Sequence, residues 1–258
     1  MAQEVIQTMK WTEKRIGLAL GGGGVRGFSH IGVLKVLEQE DMVPDLIVGS
    51  SAGALIGGAY ASGASPREIS ALVDAYLISP KFQTSVLRSI SLAMNPNNRT
   101  FPEKAKTFIS HWYHSLRSLF KPGIIPVSDF QTLVNHFIPD MGIRDTRIPF
   151  HAVATDLITG ARIVISEGSL RQAVLASCAV PGAVAPVQLG DWLLADGGIT
   201  GLVPVQVTRQ AGADIVIAVV VDFSLDTQGP FDTLRRLFTG PVKSWRINLK
   251  CWNSRTRT

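Results

Sequence analysis

Residues 45–53 read Asp45-Leu46-Ile47-Val48-Gly49-Ser50-Ser51-Ala52-Gly53, and a run rich in Ala and Gly follows at 54–61. The apolar part, 45–48, predicts a buried strand, and the small-residue run predicts a closely packed helix. A sharp turn between them would place Ser51 at its apex, flanked by Gly49 and Gly53. This is the context of a G-x-S-x-G nucleophile elbow, so the segment predicts an α/β fold with Ser51 as candidate nucleophile.

Strand-like and helix-like segments alternate from Ile16 onward. Strands are predicted at 16–20, 45–48, 150–156, 162–166, 192–195 and 215–222. Capping-box patterns predict helix starts at 65–68, 128–131 and 169–172. In a chain of 258 residues this alternation predicts one α/β domain, with a mainly parallel sheet flanked by helices.

A second motif, Gly21-Gly22-Gly23-Gly24-Val25-Arg26-Gly27, lies between the predicted strand 16–20 and the helical run 28–40. Successive glycine amides at the start of a helix form a nest that binds anions. In an acyl-transfer enzyme this nest is an oxyanion hole, with the amides of Gly23 and Gly24 directed at the tetrahedral oxygen.

The same loop also fits a nucleotide site. Gly22, Gly24 and Gly27 satisfy the dinucleotide-binding pattern G-x-G-x-x-G, and Asp45 follows at about the spacing of a ribose-binding acid. This alternative predicts a nucleotide-binding oxidoreductase. Arg26 fits either anion, and the glycine loop alone does not decide between them.

A third motif, Asp196-Gly197-Gly198, ends the predicted strand 192–195. An ordinary α/β-hydrolase triad runs serine, acid, histidine, but the chain has no histidine after His151. A serine enzyme built on Ser51 therefore needs a carboxylate as its base. Asp196 is the best placed carboxylate because it ends a strand, and Asp222 is the reserve candidate.

The glycine-rich loop, the Ser51 motif and the Asp196 motif, in this order and each after a predicted strand, resemble the patatin-like phospholipases, in particular their small bacterial members. The resemblance covers about residues 15–224, and the stretches 176–186, 202–205 and 212–216 share it without indicating a role. It implies a three-layer α/β/α fold with a central, mainly parallel sheet.

The resemblance also implies roles for residues. Ser51 would be the nucleophile and Asp196 the proton acceptor of a catalytic dyad. The oxyanion hole would be formed by Gly22, Gly23, Gly24, Val25, Arg26 and Gly27. The implied substrates are acyl esters of phospholipids, lysophospholipids and neutral lipids, and neither a metal nor a cofactor is implied.

The net charge of +5 arises from two basic segments of the chain. Residues 81–121 hold seven basic residues and one acidic residue, and residues 235–257 hold seven basic residues and none that is acidic. We expect an N-terminal extension at 1–14, the hydrolase domain at 15–224 with a basic aromatic insertion at 79–126, and a basic tail at 225–258. A helix is predicted at 103–120 within the insertion. The insertion is expected either to make a peripheral contact with anionic membranes or to cover the core as a solvated helix.

Other features favour less specific interpretations. No signal peptide is indicated, which predicts a cytoplasmic protein, peripheral at most to a membrane, and the apolar stretch 46–66 is too rich in Gly and Ser for a membrane span. The basic residues match no nucleic-acid reader motif. His30 is expected to be packed and Cys178 to be a buried, inert thiol. A remaining alternative to an enzyme is a membrane- or partner-binding module of the same fold without activity.

Overall fold

The computed structural model describes residues 14–88 and 123–221 and the backbone of a strand at 248–252. Residues 1–13, 89–122, 222–247 and 253–258 lie outside this description. The predicted helix at 103–120 and the reserve carboxylate Asp222 are therefore among the residues that are not described.

The described strands form one sheet whose central members are parallel. They are β1 (Ile16–Leu20), β2 (Leu46–Ser50), β3 (Phe150–Asp156), β4 (Arg162–Ile165), β5 (Val187–Leu189), β6 (Trp192–Asp196), β7 (Ile215–Val220) and β8 (Asn248–Trp252). Strand β1 pairs in parallel with β2 and β7, and β2 pairs in parallel with β3. The remaining pairings, which involve β4, β5, β6 and β8, are antiparallel. Strand β8 lies within the predicted basic tail and pairs with β7.

Two strands share one edge of β3. Residues 150–153 of β3 pair with β2, and residues 154–156 pair with β6. Strand β4 pairs with β3 over 152–155, so it occupies the opposite edge. Because β2 and β6 run in opposite directions, their carboxyl ends meet head to head, opposite Val153 and Ala154 of β3.

Helices cover both faces of the sheet. They are α1 (Ser29–Gln39), α2 (Ala52–Ala61), α3 (Pro66–Ile78), α4 (Pro80–Thr84), α5 (Val127–Phe137), α6 (Leu170–Ser177) and α7 (Val205–Gln210). On one face Leu18 and Ile47 pack in a core with residues of α1, α2, α3, α5 and α6. On the other face Val48 and Val216 pack with Val207 of α7. The predicted α/β fold with its central, mainly parallel sheet is confirmed.

The local signals for helix starts hold at two of three places. Ser65 caps α3 in a full capping box, with its amide donating to Glu68 Oε2 at 2.7 Å and its hydroxyl accepting from the Glu68 amide. Ser169 caps α6. At the third place a helix is present, but the capping box predicted for 128–131 is wrong. Helix α5 begins at Val127, after Pro126, and has no side-chain cap. No helix in the described residues is long and apolar enough to cross a membrane.

Gly53 fixes the approach of α2 to the end of β1. A Cβ at this position would overlap the carbonyl oxygen of Leu20. We expect Gly53→Ala to lower the free energy of unfolding by about 1–3 kcal/mol through this overpacking. The matched control is Gly32→Ala in α1, where an added Cβ meets nothing within 4 Å. The control should raise the stability by about 0.5–1 kcal/mol, since Ala is the better helix former. Urea denaturation measures both, and equal effects would contradict the packing argument.

Candidate active site

Ser51 occupies a strained turn between β2 and α2. Its φ of 54° and ψ of −126° lie outside the regions that non-glycine residues prefer, at a typical cost of order 1–3 kcal/mol. The residue is buried, with 8% of its surface exposed. Gly49 and Gly53 make the turn sterically possible, because a Cβ on Gly49 would lie 2.5 Å from the carbonyl oxygen of Gly53. The predicted strand, turn and helix around Ser51 are therefore present.

Asp196 reaches Ser51 because β2 and β6 meet end to end. Asp196 is the last residue of β6 and lies opposite Ala154 of β3, next to the Val153 position that pairs with Ser50. Gly197 turns the chain away at this point. A Cβ on Gly197 would overlap the Val153 carbonyl oxygen and lie 2.7 Å from the hydroxyl of Ser50. The structure thus brings the Ser51 motif and the Asp196 motif together.

The two oxygens of the Asp196 carboxylate differ in their hydrogen bonding. Its Oδ1 accepts a hydrogen bond from the amide of Gly198 at 2.7 Å. Its Oδ2 is buried and has no hydrogen-bond partner of ordinary geometry in the described part of the chain. Burial raises the pKa of Asp196 above its ordinary value, while the nearby Ser51 hydroxyl and the Gly198 amide act in the opposite direction. An under-engaged carboxylate beside a serine can accept its proton.

The glycine loop lies directly against this pair. A Cβ on Gly22 would lie 3.0 Å from the Cβ of Ser51. A Cβ on Gly27 would overlap the side chain of Ala52, the first residue of α2. The loop approaches the turn this closely only because these two positions carry no side chain.

The base of the loop is fixed by three hydrogen bonds. The amide of Gly21 donates to the carbonyl of Val219 at 3.1 Å, and the amide of Gly22 donates to that of Leu202 at 2.9 Å. The buried His30 donates from Nε2 to the carbonyl of Gly21 at 2.8 Å. Burial lowers the pKa of His30, which keeps the ring neutral. His30 is thus packed, as predicted, and it supports the loop.

The tip of the loop differs from its base. Gly24, with a φ of 56°, and Val25 are exposed. The amides of Gly23 and Gly24 meet no acceptor among the residues that the structure describes. Residues Gly24–Phe28, which include the half-buried Arg26, form a 3₁₀ turn that leads into α1. Adjacent unengaged amides at the start of a helical turn are the kind of group that can bind an anion.

Asp45 contradicts the nucleotide alternative. Its carboxylate accepts a hydrogen bond from the amide of Ile16 at 2.7 Å, at the start of β1. The glycine loop follows the other end of β1. A ribose-binding acid would have to lie at the carboxyl end of the strands, together with the loop. Asp45 lies at the opposite, amino-terminal end of β1 and β2, so its sequence spacing was misleading.

Sequence reasoning gave no role to a three-residue segment that contacts both Ser51 and Asp196. The hydroxyl of Ser177 accepts from the Ser51 amide at 2.9 Å. The thiol of Cys178 donates to the Ser51 carbonyl at 3.0 Å. The carbonyl of Ala179 accepts from the Asp196 amide at 2.9 Å. The one sequence signal for this role is a polar Ser-Cys pair inside an otherwise apolar small-residue run.

Other titratable groups near the sheet edge have structural roles. Asp156 accepts hydrogen bonds from Thr159 and from the amides of Ile158 and Leu193, which ties the β3–β4 turn to β6. These bonds, the Thr159 hydroxyl first, lower the pKa of Asp156. No group of three His, Cys, Asp or Glu side chains in the described ranges could hold a metal ion.

Comparisons with known proteins show which family and which relatives this chain resembles. The sequence model of the patatin-like phospholipases matches residues 18–209. An uncharacterized NTE family protein of Mycobacterium tuberculosis is 32% identical over 210 residues, which are 81% of this chain and 50% of that protein. Human patatin-like phospholipase domain-containing protein 6 is 33% identical over 81% of this chain and 14% of its own length. The crystal structure of VipD from Legionella pneumophila aligns with 72% of this chain and 46% of its own, at 17% identity and a TM-score of 0.43.

The opposite pKa shifts of two aspartates give opposite pH dependences of stability. The raised pKa of Asp196 means that its stabilising, protonated state is fully present below the ordinary value of 3.8 and is lost as the pH rises through the raised value. Asp196→Asn should therefore raise the melting temperature more at pH 7 than at pH 4.

Asp156→Asn is the matched comparison. Its lowered pKa contributes stability that is present above 3.8 and is lost as the pH falls through the lowered value. This variant should lower the melting temperature at pH 7. Thermal unfolding followed by circular dichroism, from below pH 3.8 to pH 7, measures both variants, and a destabilised Asp196→Asn at pH 7 would rule out the burial argument.

Proposed function

The chain belongs to the patatin-like phospholipase family, and on this premise we propose that it is a lipid acyl hydrolase in which Ser51 and Asp196 form a catalytic dyad. One observation carries the proposal: the buried Oδ2 of Asp196, which meets no hydrogen-bond partner of ordinary geometry among the described residues, lies beside a serine that is held in a strained turn. A buried carboxylate oxygen left under-engaged in this way lowers the stability of the fold, and such groups cluster at functional sites.

The first half of the reaction acylates the enzyme. Asp196 takes the proton of the Ser51 hydroxyl as its oxygen attacks the ester carbonyl. The carbonyl oxygen becomes an oxyanion that accepts hydrogen bonds from the amides of Gly23 and Gly24. When this intermediate collapses, the ester C–O bond breaks and the alcohol leaves with the proton from Asp196.

The second half releases the acid. A water molecule gives its proton to the Asp196 carboxylate and attacks the acyl carbonyl. The proton then returns to the Ser51 oxygen as the fatty acid departs. The raised pKa of Asp196 suits this cycle, because a more basic carboxylate is the better proton acceptor near neutral pH.

The substrate class and the membrane contact are part of the proposal. The chain spans about half the length of the mycobacterial relatives that it matches, so activity is proposed here for the domain alone. Acyl esters of phospholipids, lysophospholipids and neutral lipids are the proposed substrates. Contact with an anionic membrane through the basic segment 81–121, most of which lies outside the described residues, would bring the domain to them.

The dyad is tested by labelling with a fluorophosphonate probe and by hydrolysis of a medium-chain p-nitrophenyl ester. Ser51→Ala should abolish both, and Asp196→Asn should lower kcat/KM by about 10²- to 10⁴-fold, the usual contribution of a general base. The matched control is Ser62→Ala at the far end of α2, whose hydroxyl donates to the Ala59 carbonyl and to no other group among the residues that the structure describes. This control should keep wild-type activity. Folded wild-type protein that is neither labelled nor active, yet binds lipid vesicles, would instead indicate a binding module.

The oxyanion hole is tested by two equivalent glycine substitutions. Gly24 and Gly160 both have positive φ, and an added Cβ meets nothing within 4 Å at either position. Alanine should therefore cost each a similar backbone strain of about 1–2 kcal/mol. Gly24→Ala keeps the backbone N–H, but relaxation of the positive φ would turn this amide away from the oxyanion. We therefore expect kcat to fall by at least about tenfold, since one oxyanion donor is typically worth about 10²–10³. Gly160→Ala, in the β3–β4 turn, should leave kcat unchanged. Equal kcat values for the two variants would refute the role of the loop.

A further inference from the structure

The backbone of Ser51 is held from both sides by side chains of one short segment. Ser177 is fully buried at the end of α6, and its hydroxyl accepts the Ser51 N–H at 2.9 Å while donating to the Val153 carbonyl at 2.6 Å. The hydroxyl thereby uses its single proton on β3 and a lone pair on the Ser51 turn. Ser177 thus links α6, β3 and the turn in one hydrogen-bonded chain.

Cys178 holds the other peptide group of Ser51. Its thiol donates to the Ser51 carbonyl at 3.0 Å, a carbonyl that also accepts from the Ala54 and Leu55 amides of α2. Burial and the nearby charge of Asp196 raise the pKa of this thiol well above its ordinary value. The sulfur therefore keeps its proton and can act as a donor.

The same segment reaches the second member of the dyad. The amide of Asp196 donates to the carbonyl of Ala179, the residue after Cys178, at 2.9 Å. Three consecutive residues therefore contact Ser51 twice and Asp196 once. Through these contacts the segment ties Ser51 to Asp196, although the two residues lie at the ends of different strands.

We propose that Ser177 and Cys178 are positioning residues that clamp the two peptide groups of Ser51 and hold its hydroxyl against Asp196. This inference rests on the proposed function of the dyad. A non-glycine residue with positive φ persists only where its surroundings over-determine it, and the clamp supplies that constraint. Because the Ser51 amide donates to Ser177, it is not available to the oxyanion. The donors in the proposed reaction are instead the amides of the glycine loop.

The existence of the clamp is tested without reference to activity. Amide hydrogen exchange of Ser51, measured by NMR, should accelerate about tenfold or more in Ser177→Ala, because the amide loses its acceptor. The amide of Leu55, which bonds within the turn to the Ser51 carbonyl, should change much less. Unchanged exchange at Ser51 would overturn the clamp whether or not the protein is an enzyme.

Its effect on the reaction is tested by steady-state kinetics with a short soluble ester. Ser177→Ala should lower kcat by roughly tenfold to a hundredfold, with KM changed by less than about twofold, because a misplacement of about 1 Å can cost about 10²-fold. The control is Thr208→Val, which also removes a fully buried hydroxyl bonded to a carbonyl, that of Pro204, but on the opposite face of the sheet. It should lower stability while kcat stays at the wild-type value.

Cys178 provides a rescue by the conservative variant. Cys178→Ser keeps a donor for the Ser51 carbonyl and should retain a higher kcat than Cys178→Ala. A purely structural role predicts instead that kcat follows the melting temperature across the three clamp variants and Thr208→Val.

The outcomes separate the two proposals. Faster exchange at Ser51 together with a lower kcat in Ser177→Ala supports the clamp. Faster exchange with an unchanged kcat overturns it as a positioning device. A wild-type protein without labelling or turnover overturns the proposed dyad instead, and the exchange measurement still decides whether the clamp exists.

Discussion

The candidate site depends on the way in which β2 and β6 share one edge of β3. Strand β2 pairs in parallel with the first half of β3, and β6 pairs antiparallel with the second half. The carboxyl ends of β2 and β6 therefore face each other, opposite two consecutive residues of β3. Ser51 follows the first of these ends, and Asp196 terminates the second. A backbone hydrogen-bond ladder therefore fixes where the two residues meet, and side chains adjust only the final geometry.

The glycines around this point have a common physical purpose. Gly53 brings α2 against the end of β1, Gly27 brings the glycine loop against α2, and Gly197 brings the turn after Asp196 against β3. Each contact would be an overlap with any larger residue. The ends of β1, β2 and β6 can thus converge around Ser51 and Asp196.

The close approach of these strand ends holds the site together, but it lowers the stability of the fold. A serine with positive φ and a buried carboxylate oxygen that meets no hydrogen-bond partner in the described part of the chain both lower the free energy of unfolding. The surrounding core supports them: helices α1, α2, α3, α5 and α6 pack on the same face of the sheet. Ser177 and Cys178, at the end of α6, connect this core to the two peptide groups of Ser51 by hydrogen bonds.

The sequence by itself determined the local elements: the strand before Ser51, the capping box at Ser65, the glycine loop and the α/β class follow from short-range patterns that act within a few residues. It did not determine the direction of β6, the end of the strands at which Asp45 lies, or the contact of Ser177 with Ser51 across 126 positions of the chain. Those were decided by the tertiary structure, because strand pairing and hydrogen bonds between distant segments depend on which surfaces the folded core brings together, and periodicity along the chain carries no record of that choice.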